Sequence, residues 1–273
     1  MDFVVLTFQT TPVIQEILEA ELGELGYHAF WETPEGLRTA IDAPLYDESA
    51  ISSLVEQYAS MGAISFTKKT EAKQNWNAQW EASFEPITVG NQVRVRAHFH
   101  EPDPSFEHEV IITPKMSFGT GHHETTRLMM KQQLELGNRF KTILDLGTGT
   151  GILAILAKKL GAETIWGYDS EDWAVENAIE NAALNDTSFE VRLGTVAEAE
   201  QLDMTFDLIL ANINRGVLER EMAQYVQLLN PNGILLLSGF YERDIPKILD
   251  KAEGLKLKAQ DQENHWVVLR MGK

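Results

Sequence analysis

The sequence predicts an α/β protein with two domains of unequal size. Residues 142–169 follow the order strand, glycine turn, helix and strand, which is the βαβ unit of a parallel sheet. The last two predicted strands, 255–263 and 265–271, are so close in sequence that they must pair as an antiparallel hairpin. Residues 1–67 give the order βαββαβ, which is typical of a small α+β domain of ferredoxin-like type.

Length and composition exclude several classes of protein. The chain has 273 residues, 44% of them hydrophobic, which is enough for one large or two unequal domains. No apolar run approaches the ~20 residues that cross a bilayer, and no basic residue precedes the first apolar segment as it would in a signal peptide. Cysteine is absent, which excludes disulfides, thiolate zinc sites and a cysteine nucleophile. We therefore expect a cytoplasmic protein.

The negative charge is concentrated in the N-terminal domain. Residues 1–67 contain eleven acids and one base, Arg38, and so carry −10 of the net charge of −18. Such a surface repels nucleic acid, whose binding requires Lys and Arg at the phosphates, and attracts a basic protein. Simple solubility is the alternative explanation of the charge.

The N-terminal elements follow from apolar spacing and turn residues. A helix begins at Thr11-Pro12 and ends at Gly26, and Pro34-Glu35-Gly36 is a turn signal between two strands. In chain order we predict strand 3–8, helix 12–25, strands 28–32 and 37–42, helix 44–60 and strand 62–67. The domain contains no titratable cluster of catalytic type, so recognition is its expected role.

A linker helix is predicted over residues 68–86. Trp76, Trp80 and Phe84 recur every four residues, so they share one helical face, and Pro86 ends the helix. Stacking of these rings on nucleic-acid bases is disfavoured by the neighbouring glutamates. We interpret the stripe as a packing face.

Residues 87–273 form the larger predicted domain. Its strands are predicted at 87–97, 107–113, 143–146, 162–169, 189–193, 206–212 and 234–238, before the terminal hairpin, and its main helices at 125–136, 152–160, 171–185, 215–229 and 244–252. The strand at 206–212 is predicted to be buried, and its end presents Asn212.

The loop at 113–126 contains His122, His123 and Glu124, which could suggest a metal site. Adjacent histidines point apart, and a zinc site needs three or four converging ligands, so we predict no metal here. Thr125 and Thr126 stand at a helix start, where a hydroxyl can cap the helix or bind a ligand.

The glycine turn predicts the ligand. Gly147, Gly149 and Gly151 follow a strand, and Asp169 ends the next one, where a carboxylate can accept hydrogen bonds from ribose hydroxyls. A dinucleotide fingerprint requires glycine at position 152, but Ile152 stands there. With Asp145 before the turn, the pattern favours S-adenosylmethionine. The alternative is a glycine loop that caps a helix in a domain without a nucleotide.

The motifs together carry a family resemblance over the whole chain. They are the W-x3-W-x3-F-x-P linker, the FGTG loop continuing to Thr126, and LDLGTGTGILAI, GYD, LAN, LNPNG and LSG. The chain resembles the bacterial methyltransferases of ribosomal protein L eleven, which implies a Rossmann-like class I methyltransferase domain with a seven-stranded, mostly parallel sheet. Thr148, the His122-His123-Glu124 sequence and Asn214 depart from the usual family pattern.

The resemblance also implies ligands and partners. S-adenosylmethionine would be bound by Thr126, Gly147, Asp169 and Asn212. To these we add neighbouring residues of the two strand ends, namely Thr148, Gly149, Gly151 and Ser170. The acidic domain would recognise the basic ribosomal protein, and lysine side chains and the N-terminal amine would be methylated several times. We expect a monomer, with no membrane partner and no sequence-specific nucleic acid.

The chemistry is an in-line displacement by a neutral amine, for which alignment is the main requirement. We expect Asn212 to orient the amine and Phe118 to shield the sulfonium with its ring face; no general base can be named. The alternatives are a methyltransferase acting on glutamine or a small molecule, one acting on RNA, and a binding module that retains the cofactor without turnover.

Overall fold

The computed structural model describes residues 2–71, 84–113 and 118–273. The chain divides into two compact units, Met1–Ser83 and Phe84–Lys273. Most of the predicted linker helix, including Trp76 and Trp80, lies outside the described residues. In the parts that are described, no helix is long and apolar enough to span a membrane.

The N-terminal unit is an antiparallel four-stranded sheet with two helices. Its elements are β1 (Phe3–Gln9), α1 (Pro12–Glu24), β2 (Ala29–Thr33), β3 (Gly36–Asp42), α2 (Glu48–Tyr58) and β4 (Ser65–Glu71). The strand order is β2-β3-β1-β4, and every pair is antiparallel. The last strand continues to Glu71, so the sheet extends past residue 67, where the sequence places the end of the domain.

Local sequence explains these elements. Leu6 and Phe8 of β1 are fully buried against the apolar stripe of α1, which is formed by Ile14, Leu18 and Leu22. Helix α2 begins because the carboxylate of the preceding Asp47 accepts the backbone N–H groups of Ser49 and Ala50 at 2.8 and 3.1 Å.

The C-terminal unit begins with a small sheet of three strands, β5 (Ile87–Val89), β6 (Val93–Arg96) and β7 (His108–Ile111). The single strand predicted at 87–97 is therefore wrong. Gly90 adopts a positive φ of 59°, and the chain turns there so that β5 and β6 pair antiparallel.

The main sheet has seven strands in the order β10-β9-β8-β11-β12-β14-β13. They are β8 (Thr142–Leu146), β9 (Thr164–Asp169), β10 (Glu190–Leu193), β11 (Phe206–Asn212), β12 (Leu229–Tyr241), β13 (Lys256–Glu263) and β14 (Trp266–Gly272). The first five are parallel, whereas β14 is antiparallel to both β12 and β13. The mostly parallel sheet with a terminal hairpin is confirmed.

Helices cover both faces of this sheet. They are α3 (Glu124–Leu136), α4 (Ile152–Lys159), α5 (Asp172–Leu184), α6 (Val196–Glu200), α7 (Arg215–Leu228) and α8 (Ile245–Lys251). Leu208 and Leu210 of β11 face the core that α3 and α4 complete, while Ile209 and Ala211 face the core that α7 completes. A central strand buried on both sides has no polar face, which explains the apolar run from Leu208 to Ala211 in this strand.

Two local features differ from the sequence prediction. Helix α6 was not predicted, although Thr195 and Glu198 form a capping box at its start. The sequence Asn230-Pro231-Asn232-Gly233, whose composition indicates a turn, lies inside β12, where Asn232 has a φ of 65° and the pairing with β11 shifts register.

Candidate functional site

A cavity of about 510 Å³ opens at the carboxyl ends of the parallel strands. This is the edge at which α/β sheets bind ligands. Backbone and side chains from five strand ends and from the loop before α3 line it. The lining residues are Phe118, His123, Thr125, Leu146, Gly147, Gly149, Asp169, Ser170, Trp173, Ala174, Gly194, Thr195, Val196, Asn212, Ile213, Asn214, Val217, Arg220, Glu221, Gly239 and Trp266.

The glycine turn after β8 requires glycine for steric reasons. Gly147, Gly149 and Gly151 all have positive φ, at 68°, 55° and 78°. A Cβ on Gly147 would overlap the side chain of Ile213, and one on Gly149 would lie 2.5 Å from the carbonyl oxygen of Phe118. The turn therefore presents bare backbone to the cavity.

Asp169 presents a carboxylate at the end of β9. Its Oδ2 accepts the N–H of Gly149 at 2.9 Å, and its Oδ1 accepts the N–H of Glu171 at 3.2 Å. A carboxylate oxygen can accept two hydrogen bonds, so each oxygen keeps capacity for a further donor. The side chain is thus oriented by the backbone and can still accept from two ligand hydroxyls.

Asp145 lies behind the turn and does not line the cavity. It is 1% exposed, and Thr148 Oγ1 donates to its Oδ2 at 2.7 Å. Burial raises the pKa of Asp145 to about 7; the bond from Thr148 opposes this rise, and the negative charge of Asp169 adds to it. Its Oδ1 has no hydrogen-bond partner among the residues that the structure describes.

The end of β11 forms the opposite wall. Asn212 lines the cavity, and its buried Oδ1 lacks a partner within the described parts of the chain. The backbone of Ile213 lies so close to Gly239, which has a φ of 97°, that a Cβ there would overlap the Ile213 carbonyl. Asn214 caps α7, because its side chain accepts the N–H of Val217 at 3.1 Å.

A row of aromatic rings forms the remaining wall. The ring centroids of Phe118 and His123 are 5.2 Å apart, those of His123 and Trp266 are 4.8 Å apart, and Tyr241 stands 4.2 Å behind Trp266. Phe118 is half exposed, so its ring is accessible from the cavity. Nδ1 of His123 accepts the N–H of Thr125 at 3.2 Å, which fixes the imidazole at the start of α3.

Comparison with known proteins identifies the family. The family model described as Ribosomal protein L11 methyltransferase (PrmA) matches residues 15–273. A Ribosomal protein L11 methyltransferase of Porphyromonas gingivalis is 44% identical over 270 residues, covering 97% of this chain and 92% of that protein. The chain belongs to the ribosomal protein L11 methyltransferase family.

A second relative and a solved structure agree with this family assignment. A Ribosomal protein L11 methyltransferase of Phocaeicola vulgatus is 36% identical and covers 99% of both chains. The crystal structure of the ribosomal protein L11 methylase from Lactobacillus delbrueckii subsp. bulgaricus aligns with a TM-score of 0.63 at 29% identity, covering 69% of this chain and 98% of that one. The resemblance found in the sequence is confirmed.

The cavity contains five of the eight residues that the sequence assigns to the cofactor of this methyltransferase family, namely Gly147, Gly149, Asp169, Ser170 and Asn212, together with Phe118. The other three do not line it. Thr148 is turned to Asp145, and Gly151 packs against Ala178. Thr126 is fully buried, its hydroxyl has no partner in the described chain, and its neighbour Thr125 reaches the cavity instead.

Several lining residues were not predicted. Trp173 and Trp266 come from α5 and β14, and Gly194 and Thr195 follow β10. Gly194 is a glycine directly after the strand predicted at 189–193, and that sequence position is a signal that indicates a turn at the sheet edge. In the structure it adopts a φ of 148°. The described residues contain no group of three or more His, Asp or Glu side chains that could hold a metal ion.

The cavity fits S-adenosylmethionine. Its volume lies in the range of small-molecule sites, which is roughly 300–1,000 Å³. Asp169 offers two acceptors suited to a ribose, and the glycine turn leaves room for a ligand against the backbone. The unpartnered Oδ1 of Asn212 is a buried acceptor that a ligand or substrate N–H would satisfy.

Proposed function

We propose that this chain transfers methyl groups from S-adenosylmethionine to amines of ribosomal protein L11, on lysine side chains and on the N-terminal amine. One observation carries the assignment of the site. A cavity at the carboxyl edge of the sheet joins a pre-oriented carboxylate, Asp169, to an aromatic wall and to the Asn212 acceptor, which has no partner among the described residues. The first suits a nucleoside, and the other two suit an amine.

Asp169 would accept the ribose hydroxyls, since its carboxylate is already aligned by the backbone N–H groups of Gly149 and Glu171. Gly147 and Gly149 would let the amino-acid end of the cofactor lie against the turn. Trp173 and Val196 offer apolar surface to the base. When bound, the cofactor supplies a methyl group that is already activated on a sulfonium.

The protein's part in the reaction is alignment. Asn212 Oδ1 would accept an N–H of the incoming amine and so fix the direction of its lone pair, and Phe118 would place its ring face beside the positive centre. Holding the two reacting atoms about 3–3.5 Å apart can supply several kcal/mol of the barrier.

The amine must be neutral to react. Lysine titrates near ~10.4 and an α-amino group near ~8 in water, so solvent can remove the proton before docking. Withdrawal of the amine from water on entering the cavity disfavours the charged ammonium, because burial penalises the charged form. We assign no general base.

The N-terminal unit would recognise the substrate. Its order βαββαβ and its strand order β2-β3-β1-β4 support a ferredoxin-like domain. Residues 1–67 carry a charge of −10, which suits a basic ribosomal protein. We take residue 83 as the boundary of this domain, and we propose a monomer that acts in the cytoplasm without membrane or sequence-specific nucleic-acid partners.

The test is methyl transfer from labelled S-adenosylmethionine. The purified chain is incubated separately with L11, with ribosomal proteins lacking L11, with total RNA and with small amines. We expect label on L11 that disappears in Asp169→Asn and persists in Asp172→Asn, because Asp172 is an exposed acid of α5 outside the cavity. Label confined to RNA would contradict the proposal, and cofactor binding without label on any acceptor would favour a non-catalytic binding module.

A second experiment tests the recognition role. Because β4 ends at Glu71, a chain beginning at residue 84 removes the whole N-terminal sheet, whereas a cut after residue 67 would divide a strand. We expect the shortened chain to bind S-adenosylmethionine with unchanged affinity and to methylate L11 at least tenfold more slowly. Undiminished methylation of L11 would refute the recognition role.

A further inference from the structure

Thr150 connects the glycine turn to the loop that carries Phe118. It is fully buried and does not line the cavity. Its backbone N–H donates to the carbonyl of Phe118 at 3.1 Å, and its hydroxyl donates to the carbonyl of Gly119 at 2.6 Å. One residue of the turn therefore holds two consecutive carbonyls of a loop that lies about thirty residues earlier in the chain.

The position of Thr150 is itself fixed from the other side. Nδ2 of Asn181, a fully buried residue of α5, donates to the Thr150 carbonyl at 2.9 Å. Oδ1 of the same side chain accepts the N–H of Thr113 at 2.9 Å. Asn181 thus uses both ends of its amide to join α5 to the turn and to the segment after β7.

Steric fit reinforces these bonds. A Cβ on Gly119 would lie 2.8 Å from Thr150 Oγ1, and one on Gly149 would lie 2.5 Å from the Phe118 carbonyl. Gly149 is also the residue whose N–H aligns Asp169. A continuous series of contacts therefore links the carboxylate assigned to the ribose, through Gly149 and Thr150, to the backbone of Phe118. The ring of Phe118 is the one assigned to the sulfonium.

We infer that Thr150 is a positioning residue of the transfer reaction, which sets the place of Phe118 relative to the cofactor turn. This inference rests on the proposed function, since it assigns Phe118 to the reacting centre. Thr150 itself touches neither reactant. Its hydroxyl holds the Gly119 carbonyl, and loss of that bond lets the Phe118 loop leave the position that serves the reaction. Cofactor binding uses other atoms and is preserved.

The experiment compares Thr150→Val, which keeps the shape of the side chain and removes the hydroxyl, with Thr150→Ser, which keeps the hydroxyl. The matched control is Thr187→Val. It removes another threonine hydroxyl that donates to a carbonyl, that of Ala182 at 3.1 Å, at a residue that does not line the cavity. If valine prevents folding, Thr150→Ala makes the same comparison. The readouts are kcat and KM for L11, the Kd for S-adenosylmethionine, and hydrogen–deuterium exchange of residues 118–124 in the cofactor-free chain.

In Thr150→Val we expect kcat to fall at least tenfold and loop exchange to rise at least fivefold, while the cofactor Kd changes less than threefold. Thr150→Ser and Thr187→Val should stay within threefold of the parent in all readouts. In a Phe118→Ala background, Thr150→Val should change kcat less than threefold, because the two residues act as one unit.

An unchanged kcat, unchanged loop exchange, or equal losses in both backgrounds would overturn the positioning role. A parent chain without turnover would count against the proposed function instead, and the exchange measurement would still decide whether Thr150 holds the loop.

Discussion

Replacing Asp145 with asparagine tests how much stability the folded chain loses when this buried carboxyl ionises. The carboxyl is 1% exposed, and the Thr148 hydroxyl donates to its Oδ2 at 2.7 Å. Burial raises its pKa to about 7 in the folded chain, compared with ~3.9 in an unfolded one. Asparagine keeps an acceptor for the Thr148 hydroxyl and cannot ionise.

The sign of the effect follows from linkage. Below pH ~4 Asp145 is protonated in both states and carries no penalty. As the pH rises, the unfolded chain ionises first, so stability is lost progressively until the folded pKa of about 7 is passed. Stability falls by about 1.4 kcal/mol for each pH unit, and the fall stops near pH 7. The loss between pH 5 and pH 8 is therefore about 3 kcal/mol.

The assay is urea unfolding of the cofactor-free chain at both pH values. We expect the free energy of unfolding of Asp145→Asn, measured relative to that of the parent, to rise by about 3 kcal/mol from pH 5 to pH 8. Asp207→Asn is the control. Burial opposes ionisation of Asp207, but bonds from Asn230 and from the N–H groups of Thr142 and Lys141 outweigh it and lower its pKa. The change in unfolding free energy caused by Asp207→Asn should therefore be equal at the two pH values. A pH-independent difference for Asp145→Asn would refute the reasoning.

Three further predictions concern the cavity walls. Gly239→Ala should destabilise the chain by about 3 kcal/mol or more in urea unfolding, because it adds overlap with Ile213 to a strained φ, whereas Gly254→Ala, strained but in open space, should cost about 1 kcal/mol. Asn212→Ala should lower kcat at least tenfold at saturating cofactor, beyond any weakening of the cofactor Kd measured by calorimetry; full turnover at saturating cofactor would exclude the orienting role. Trp266→Ala should raise KM for L11 several-fold at an unchanged cofactor Kd, and an unaltered KM would remove Trp266 from the amine wall.

Much of the larger unit could be predicted from the sequence because its strongest signals are local. Strand β11 is confirmed at 206–212, since the apolar run from Leu208 to Ala211 is typical of a strand buried on both faces. Helix α7, predicted at 215–229, ends at Leu228. Turn glycines and strand-end acids were equally readable, and Gly147, Gly149 and Asp169 do meet in one cavity.

The features of the site that the sequence does not predict depend on contacts between distant segments. Trp266 belongs to the wall because β14 inserts beside β12, and nothing near position 266 indicates that placement. Thr148 and Thr150 are alternate residues of one turn, yet one hydroxyl faces Asp145 and the other faces Gly119. Only the folded neighbours decide which hydroxyl serves which partner.

The packing of Ile213 makes the cavity depend on a strand that comes later in the chain. Its side chain occupies the space that a Cβ on Gly147 would need, and its carbonyl lies against Gly239 on β12. A nascent chain that has emerged only as far as β11 contains the glycine turn, Asp169 and Asn212, but not the strand against which Ile213 rests. The wall of the cofactor site at Asn212 and Ile213 is therefore complete only when β12 is paired beside β11, so that part of the site depends on a strand that follows Asp169, Asn212 and Ile213 in the chain.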